Sequence, residues 1–175
     1  LHAPPTEGVP LVDQGRYYSF DWGNVHFVSL DTNAPFSAAL AGSGQMLTWL
    51  ENDLRNARAF WRVAYFHHPP LANARHENDP VVLQVRAQLA PILERHNVPL
   101  VFNGHEHNYM QTFPLRNGQR VEPGTGTVYI ITGGGGGSIS DYPVLPRPWL
   151  AFGETVFHYV RAEVQGSRMP LRAIR

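Results

Sequence analysis

The sequence predicts a layered α/β domain with mixed parallel and antiparallel strands, and three observations carry that expectation. Two stretches show the i, i+3/i+4 apolar stripe of amphipathic helices, within Gln45–Arg58 and Val81–His96. The segment Trp61–Phe102 reads strand, loop, helix, strand, which is a βαβ unit with parallel strands and a right-handed crossover. From Tyr109 onward the chain is strand-like, with turn signals at Asn117-Gly118 and Gln165-Gly166.

Taken in order, residues 1–15 are rich in proline and glycine and read as a surface arm. Arg16–Asp21 and Asn24–Asp31 are aromatic and β-branched runs flanking Trp22-Gly23, hence a hairpin in which His26 is a structural strand residue. Ala34–Gly44 is a small-residue loop ending near Ser43, a candidate N-cap for the first helix, whose stripe is residues 46, 47, 50 and 54. Trp61–Phe66 is a nearly uncharged buried strand that stops at His67-His68-Pro69-Pro70. After a polar loop, Asp79 and Pro80 suit the N-cap and first position of the second helix. Its stripe is residues 82, 85, 89, 92 and 93, and Pro91 is placed to kink it. Val98–Phe102 is the next buried strand and runs into Asn103-Gly104-His105-Glu106-His107. Further strands are expected at Tyr109–Leu115, Thr127–Thr132, Thr155–Val164 and Arg168–Ala173. No repeat, linker or domain boundary is visible, so residues 1–175 read as a single domain.

Composition narrows the function. With 14 Lys+Arg against 14 Asp+Glu, the formal net charge is zero, which argues against a nucleic-acid footprint. No run approaches the ~20 apolar residues of a membrane span. There is no cysteine, which excludes disulfides, thiolate zinc sites and cysteine nucleophiles. Histidine and carboxylate are left as the metal ligands. The chain starts at Leu1 without methionine or a signal-peptide pattern, which suggests a mature form or a fragment.

The histidines stand where α/β proteins bind ligands. His67 directly follows one parallel strand; His105 and His107 directly follow its βαβ partner. Ligands in open α/β sheets bind outside the carboxyl ends of strands, so both motifs should converge on one crevice. In extended chain, residues i and i+2 point to one side about 6.5–7 Å apart. An H-x-H step therefore suits two neighbouring ions ~3.5–4 Å apart, one histidine each, with Glu106 pointing away and Gly104 allowing a sharp turn. His68 should point opposite to His67, as a supporting or turn residue. His76, in the loop on the same side, is either a substrate contact, a proton donor or a solvated residue. Gly133–Gly137 lacks a following helix and reads as a tight turn bringing backbone close to the crevice rather than as a phosphate loop. His2, His96 and His158 read as structural or exposed. No serine or threonine stands in a nucleophile elbow.

FHHPP, NGHEHNY and GTVYIITGGGGG, in this order and spacing, resemble the calcineurin-like metallophosphoesterases, in particular the purple acid phosphatase-like branch. YYSFDWGNVHFVSLDT, MLTWLENDL and WRVAYFHHPP resemble that family's connecting elements. The resemblance implies a four-layer αββα sandwich with a dinuclear metal centre of Fe, Zn or Mn at the strand ends. By the same resemblance His67 and His105 would bind the second metal, His107 the first, and His76 would face the substrate. Tyr109 matches a packing aromatic after the G-H-x-H motif. The family's earlier motifs, D-x-H, G-D-x-x-D/Y and G-N-H-E/D, do not occur here, and neither Asp21 nor Asp31 matches them. The chain thus resembles the C-terminal half of such a domain. Without a bridging carboxylate two dications lack the charge that holds them together. Three histidines could hold one ion with water, but His105 and His107 straddling two positions cannot easily close on it. Weak or no metal binding by the chain alone is expected, together with apolar sheet surface left open.

The expected function is phosphomonoester hydrolysis by a metal-activated hydroxide, completed by an N-terminal half in an uncut precursor or on a second polypeptide. A truncated, catalytically silent module with relic histidines, and a single-metal hydrolase using His67, His105 and His107, are the alternatives. The resemblance also implies a secreted or periplasmic protein.

Overall fold

The computed structural model describes residues 8–9, 11–33, 45–73, 75–139 and 143–175. Strands β1 (Tyr18–Trp22) and β2 (Val25–Ser29) form the expected antiparallel hairpin. Helix α1 (Gln45–Asn56) buries Met46, Trp49, Leu50 and Leu54 on one face. Ser43, the expected N-cap, lies outside the described residues. Strand β3 (Trp61–Phe66) leads through the histidine-proline segment to a helix in three stretches: α2 (Pro80–Gln84), a π-turn (Val85–Leu89) and α3 (Ala90–Arg95). Proline at 91 cannot donate an amide to the preceding turn. The backbone answers with the wider turn, where Ala90 N–H donates to Val85 O. The apolar stripe survives it: Val82, Val85, Leu89, Ile92 and Leu93 are all buried.

Strands β4 (Leu100–Asn103), β5 (Tyr109–Thr112), β6 (Leu115–Arg116), β7 (Gln119–Arg120), β8 (Val128–Thr132), β9 (Leu150–Glu154), β10 (Tyr159–Ala162) and β11 (Leu171–Ile174) follow. Seven of the strands form one mixed sheet in the order β1-β2-β3-β4-β8-β5-β9. The four central strands β2, β3, β4 and β8 are parallel, and antiparallel pairs close both edges. The βαβ unit is therefore as expected, with β3 and β4 parallel and adjacent. Two corrections concern the C-terminal part. The run expected at Tyr109–Leu115 breaks after Thr112, because Pro114 has no amide for a ladder. The strand expected at Thr155–Val164 shortens to β10, Tyr159–Ala162; β9 ends before it at Glu154, and between the two His158 turns inward to bond Thr132 and Val156.

The two faces of the sheet are packed differently. On one face both helices bury a core of Val28, Leu30, Leu50, Leu54, Leu89, Leu93, Val101, Tyr129 and Ile131. The arm expected over residues 1–15 is held there at Val9, which is only 7% exposed. On the other face Val25, Val63, Leu100, Tyr109 and Ile130 form a smaller cluster. Val160, Met169 and Leu171 of the β10–β11 hairpin region cover part of it. Beyond that cover Tyr18, Phe20, Phe27, Tyr65 and Phe102 remain half-buried, with Phe20 stacked on Phe27 at 5.1 Å. The described residues thus make one helical layer and one mixed sheet of a sandwich.

Candidate functional site

The carboxyl ends of β3 and β4 are tied together before any histidine enters the site. Asn103 Nδ2 donates to Phe66 O (3.0 Å) and Gly104 N–H donates to His67 O (3.0 Å). The turn that follows is tight: Glu106 N–H donates to Gly104 O (2.8 Å) and Asn108 N–H to Glu106 O (2.9 Å). It is His105, not Gly104, that takes the left-handed conformation, at φ 68°. A non-glycine residue there costs of order 1–3 kcal/mol. The extended-chain placement of His105 and His107 therefore gives way to a turn, and their rings diverge to different partners.

His105 is the centre of the cluster. Its Nδ1 lies 3.2 Å from His67 Nε2, and its Nε2 lies 3.1 Å from Asp79 Oδ2. The same Asp79 oxygen accepts from His76 Nδ1 at 2.8 Å. The His68 ring, expected to point away, stands 4.5 Å from the His105 ring and 4.7 Å from that of His67. Thr32, fully buried, holds it: the hydroxyl lies 3.0 Å from His68 Nδ1 and accepts from His68 N–H at 3.0 Å. His107 is placed apart, with Nδ1 donating to Ser138 O at 2.6 Å. Two groups thus bring three ligand atoms within 4.8 Å of one another: His67, His68 and His105, and His76, Asp79 and His105.

Electrostatics follow the crowding. Burial, then the neighbouring His105 and His107, lowers the pKa of His67. Burial and then His105 and His67 push His68 down to about 4. Burial works against ionisation of Asp79, yet the hydrogen bonds from His105 and His76 outweigh it and hold the carboxyl below its ordinary value. Both shifts favour the neutral imidazole at His67 and His68, the form that metal ligation requires.

The donor set fits a metal. Two ligands on a tetrahedral ion with bonds of ~2.0–2.1 Å stand about 3.3–3.4 Å apart. The His67 Nε2–His105 Nδ1 separation of 3.2 Å matches that edge. A carboxylate on the far nitrogen of His105 is the usual companion of a ligating imidazole.

The partners of three features escaped the sequence reading. Asp79, expected only as an N-cap, has cap backbone geometry but no capping side-chain bond, because its carboxylate is drawn to the histidines. Glu106 does point away from its neighbours and is fully buried, where it accepts the amides of His76 (2.9 Å) and Arg75 (3.4 Å). The glycine run is explained by close approach rather than by phosphate binding. A Cβ on Gly137 would stand 2.6 Å from the His107 ring, one on Gly134 2.6 Å from His158 Nδ1, and one on Gly133 would collide with Glu106 O.

The calcineurin-like phosphoesterase family profile matches residues 3–109. Human acid phosphatase type 7 is 30% identical over 182 residues, covering 89% of this chain and 42% of that protein. Arabidopsis thaliana purple acid phosphatase 23 is 35% identical over 135 residues, covering 73% and 28%. The chain therefore spans well under half the length of these relatives. Among solved structures, purple acid phosphatase PPD1 from yellow lupin seeds matches with a TM-score of 0.78 at 20% identity, covering 94% of this chain and 32% of that one.

Proposed function

The chain belongs to the calcineurin-like phosphoesterase family, and on that premise we propose that it is the C-terminal part of a metal-dependent phosphatase acting on phosphomonoesters. The observation that carries the proposal is the pair of ring nitrogens, His67 Nε2 and His105 Nδ1, set 3.2 Å apart at the ends of adjacent parallel strands.

In this reading His67 and His105 hold one ion of a two-metal site, and His107, directed to the glycine turn, serves the other. The metals are Fe, Zn or Mn, all of which accept imidazole and carboxylate ligands. Bound there, they supply Lewis acidity toward the phosphoryl oxygens and a nucleophile near neutral pH. The remaining carboxylate ligands would come from an N-terminal half, in an uncut precursor or on a second polypeptide. His76 is oriented by Asp79 through Nδ1, which leaves Nε2 to contact the phosphoryl group or to hold the proton for the leaving oxygen. Export to a periplasmic or extracellular location accompanies this reading. Among the described residues no helix is long and apolar enough to cross a membrane.

Native mass spectrometry in a metal-preserving buffer, with hydrolysis of an aryl phosphate, tests it. Two metals in the complete protein and turnover abolished by chelation and by His105→Ala are expected. Full turnover in folded His105→Ala overturns the proposal.

A further inference from the structure

One carboxylate oxygen serves two rings. Asp79 Oδ2 lies 2.8 Å from His76 Nδ1 and 3.1 Å from His105 Nε2. An ionised carboxylate only accepts hydrogen bonds, and a neutral imidazole carries a single N–H. Both contacts must therefore be donated by the rings, so His105 is the Nε2–H tautomer and His76 the Nδ1–H tautomer. The nitrogen this leaves bare on His105 is Nδ1, the atom that faces His67 Nε2. The two rings are also packed together, with centroids 4.1 Å apart.

Asp79 is not explained by its place in the fold. It stands at the N-terminus of α2, where an aspartate ordinarily bonds a free helix amide, and it makes no such bond. The residue is held in place from both sides. Its carbonyl accepts Leu83 N–H at 3.1 Å, and its own amide donates to His76 O at 3.1 Å. The loop before it is fixed to the same turn that carries His105, because buried Glu106 accepts the amides of Arg75 and His76. The carboxylate therefore approaches both rings from a backbone with little freedom to move.

We propose that Asp79 is a positioning residue. It selects the tautomer of His105 that leaves Nδ1 bare toward His67, and by the same oxygen it sets His76 in register with that ring. Its consequence for metal binding rests on the ligand role given to His105 above; the tautomer assignment stands on the hydrogen bonds alone. A bare, correctly aimed nitrogen raises affinity because His105 itself has no proton to give up at Nδ1, where it accepts from His67 Nε2–H, and its ring does not have to turn when an ion arrives.

Long-range ¹H–¹⁵N correlation on metal-free protein labelled with ¹⁵N-histidine, at mildly alkaline pH, reads each ring's tautomer directly. His105 is expected as Nε2–H in the wild-type protein. In Asp79→Ala it is expected to move toward Nδ1–H, with affinity for zinc alone reduced ~10- to 100-fold. Asp79→Glu is expected to restore the tautomer in part. An Nδ1–H tautomer at His105 in the wild type overturns the proposal, and that observation needs no variant to fold. An unchanged tautomer in folded Asp79→Ala overturns it as well. A tautomer change with unchanged zinc affinity upholds the assignment and overturns the ligand role of His105 instead.

Discussion

His105 shows how much one residue is asked to do. It occupies a left-handed conformation at φ 68°, offers one nitrogen to His67 and gives the other to Asp79. Its backbone strain is held by short amide–carbonyl bonds on both sides of Glu106. The glycines opposite are part of the same construction. A Cβ at Gly137 would stand 2.6 Å from Cε1 and 3.0 Å from Nδ1 of His107. Gly137→Ala is therefore expected to turn that ring off Ser138 O while the fold survives. Turnover per folded molecule in the complete enzyme should drop at least ~10-fold, since small misplacements at a reacting centre are costly. Wild-type turnover in that variant would show that the orientation of His107 is immaterial. The glycine run was visible in the sequence, but which glycines touch which rings was not, because the contacts join chain segments some 30 residues apart.

Among the elements, the β1–β2 hairpin is fastened to α1 by a titratable staple. His26 lies on the helix side of the sheet, with Nδ1 2.6 Å from Asp21 Oδ1 and Nε2 2.8 Å from Asp53 Oδ2. Ser19 donates to the other Asp53 oxygen at 2.6 Å. Arg62, its register partner on β3, is directed to Ala57 O. Burial opposes the charge on His26, but the hydrogen bonds to Asp53 and Asp21 outweigh it and raise the pKa. The sign follows from that direction. The raised folded pKa makes the staple's contribution fully present below the ordinary value of 6.5 and lost as pH rises through the folded value. Urea unfolding of the wild type and Asp53→Asn checks it. The stability difference should be largest just below pH 6.5, above the ~4 at which carboxylates protonate, and shrink at higher pH. A difference that grows with pH would exclude the staple. Sequence pattern identified His26 as a structural strand residue; its two acidic partners come from a neighbouring strand and a helix, beyond the reach of local pattern.

At the scale of the whole molecule, the sheet is closed on one face and partly covered on the other. The cover is the β10–β11 hairpin region, and its turn is pinned to the start of β3 and to the β1–β2 turn by two donors to one carbonyl. Trp61 Nε1 and Asn24 Nδ2 both reach Gly166 O, at 2.9 and 3.0 Å. Gly166 itself takes φ 59°, which suits glycine. Trp61→Phe removes one of these bonds and should lower stability by about 1 kcal/mol in urea unfolding. No change would mean that the hairpin does not need this tie. Beyond its reach the aromatic residues of β1, β2, β3 and β4 stay half-buried.

The sequence by itself determined the strands of the βαβ unit, both helical stripes and the location of His67, His105 and His107 at strand ends. These follow from periodicity and from chain order, which are local properties. The tertiary structure alone decided the turn at His105, the inward ring of His68, the anchoring by Glu106 and the diversion of Asp79 from helix cap to histidine partner. Each of these depends on which acceptor lies nearest in space to a polar group that must be satisfied, and that is settled only when β3, β4 and the loop before α2 are packed together.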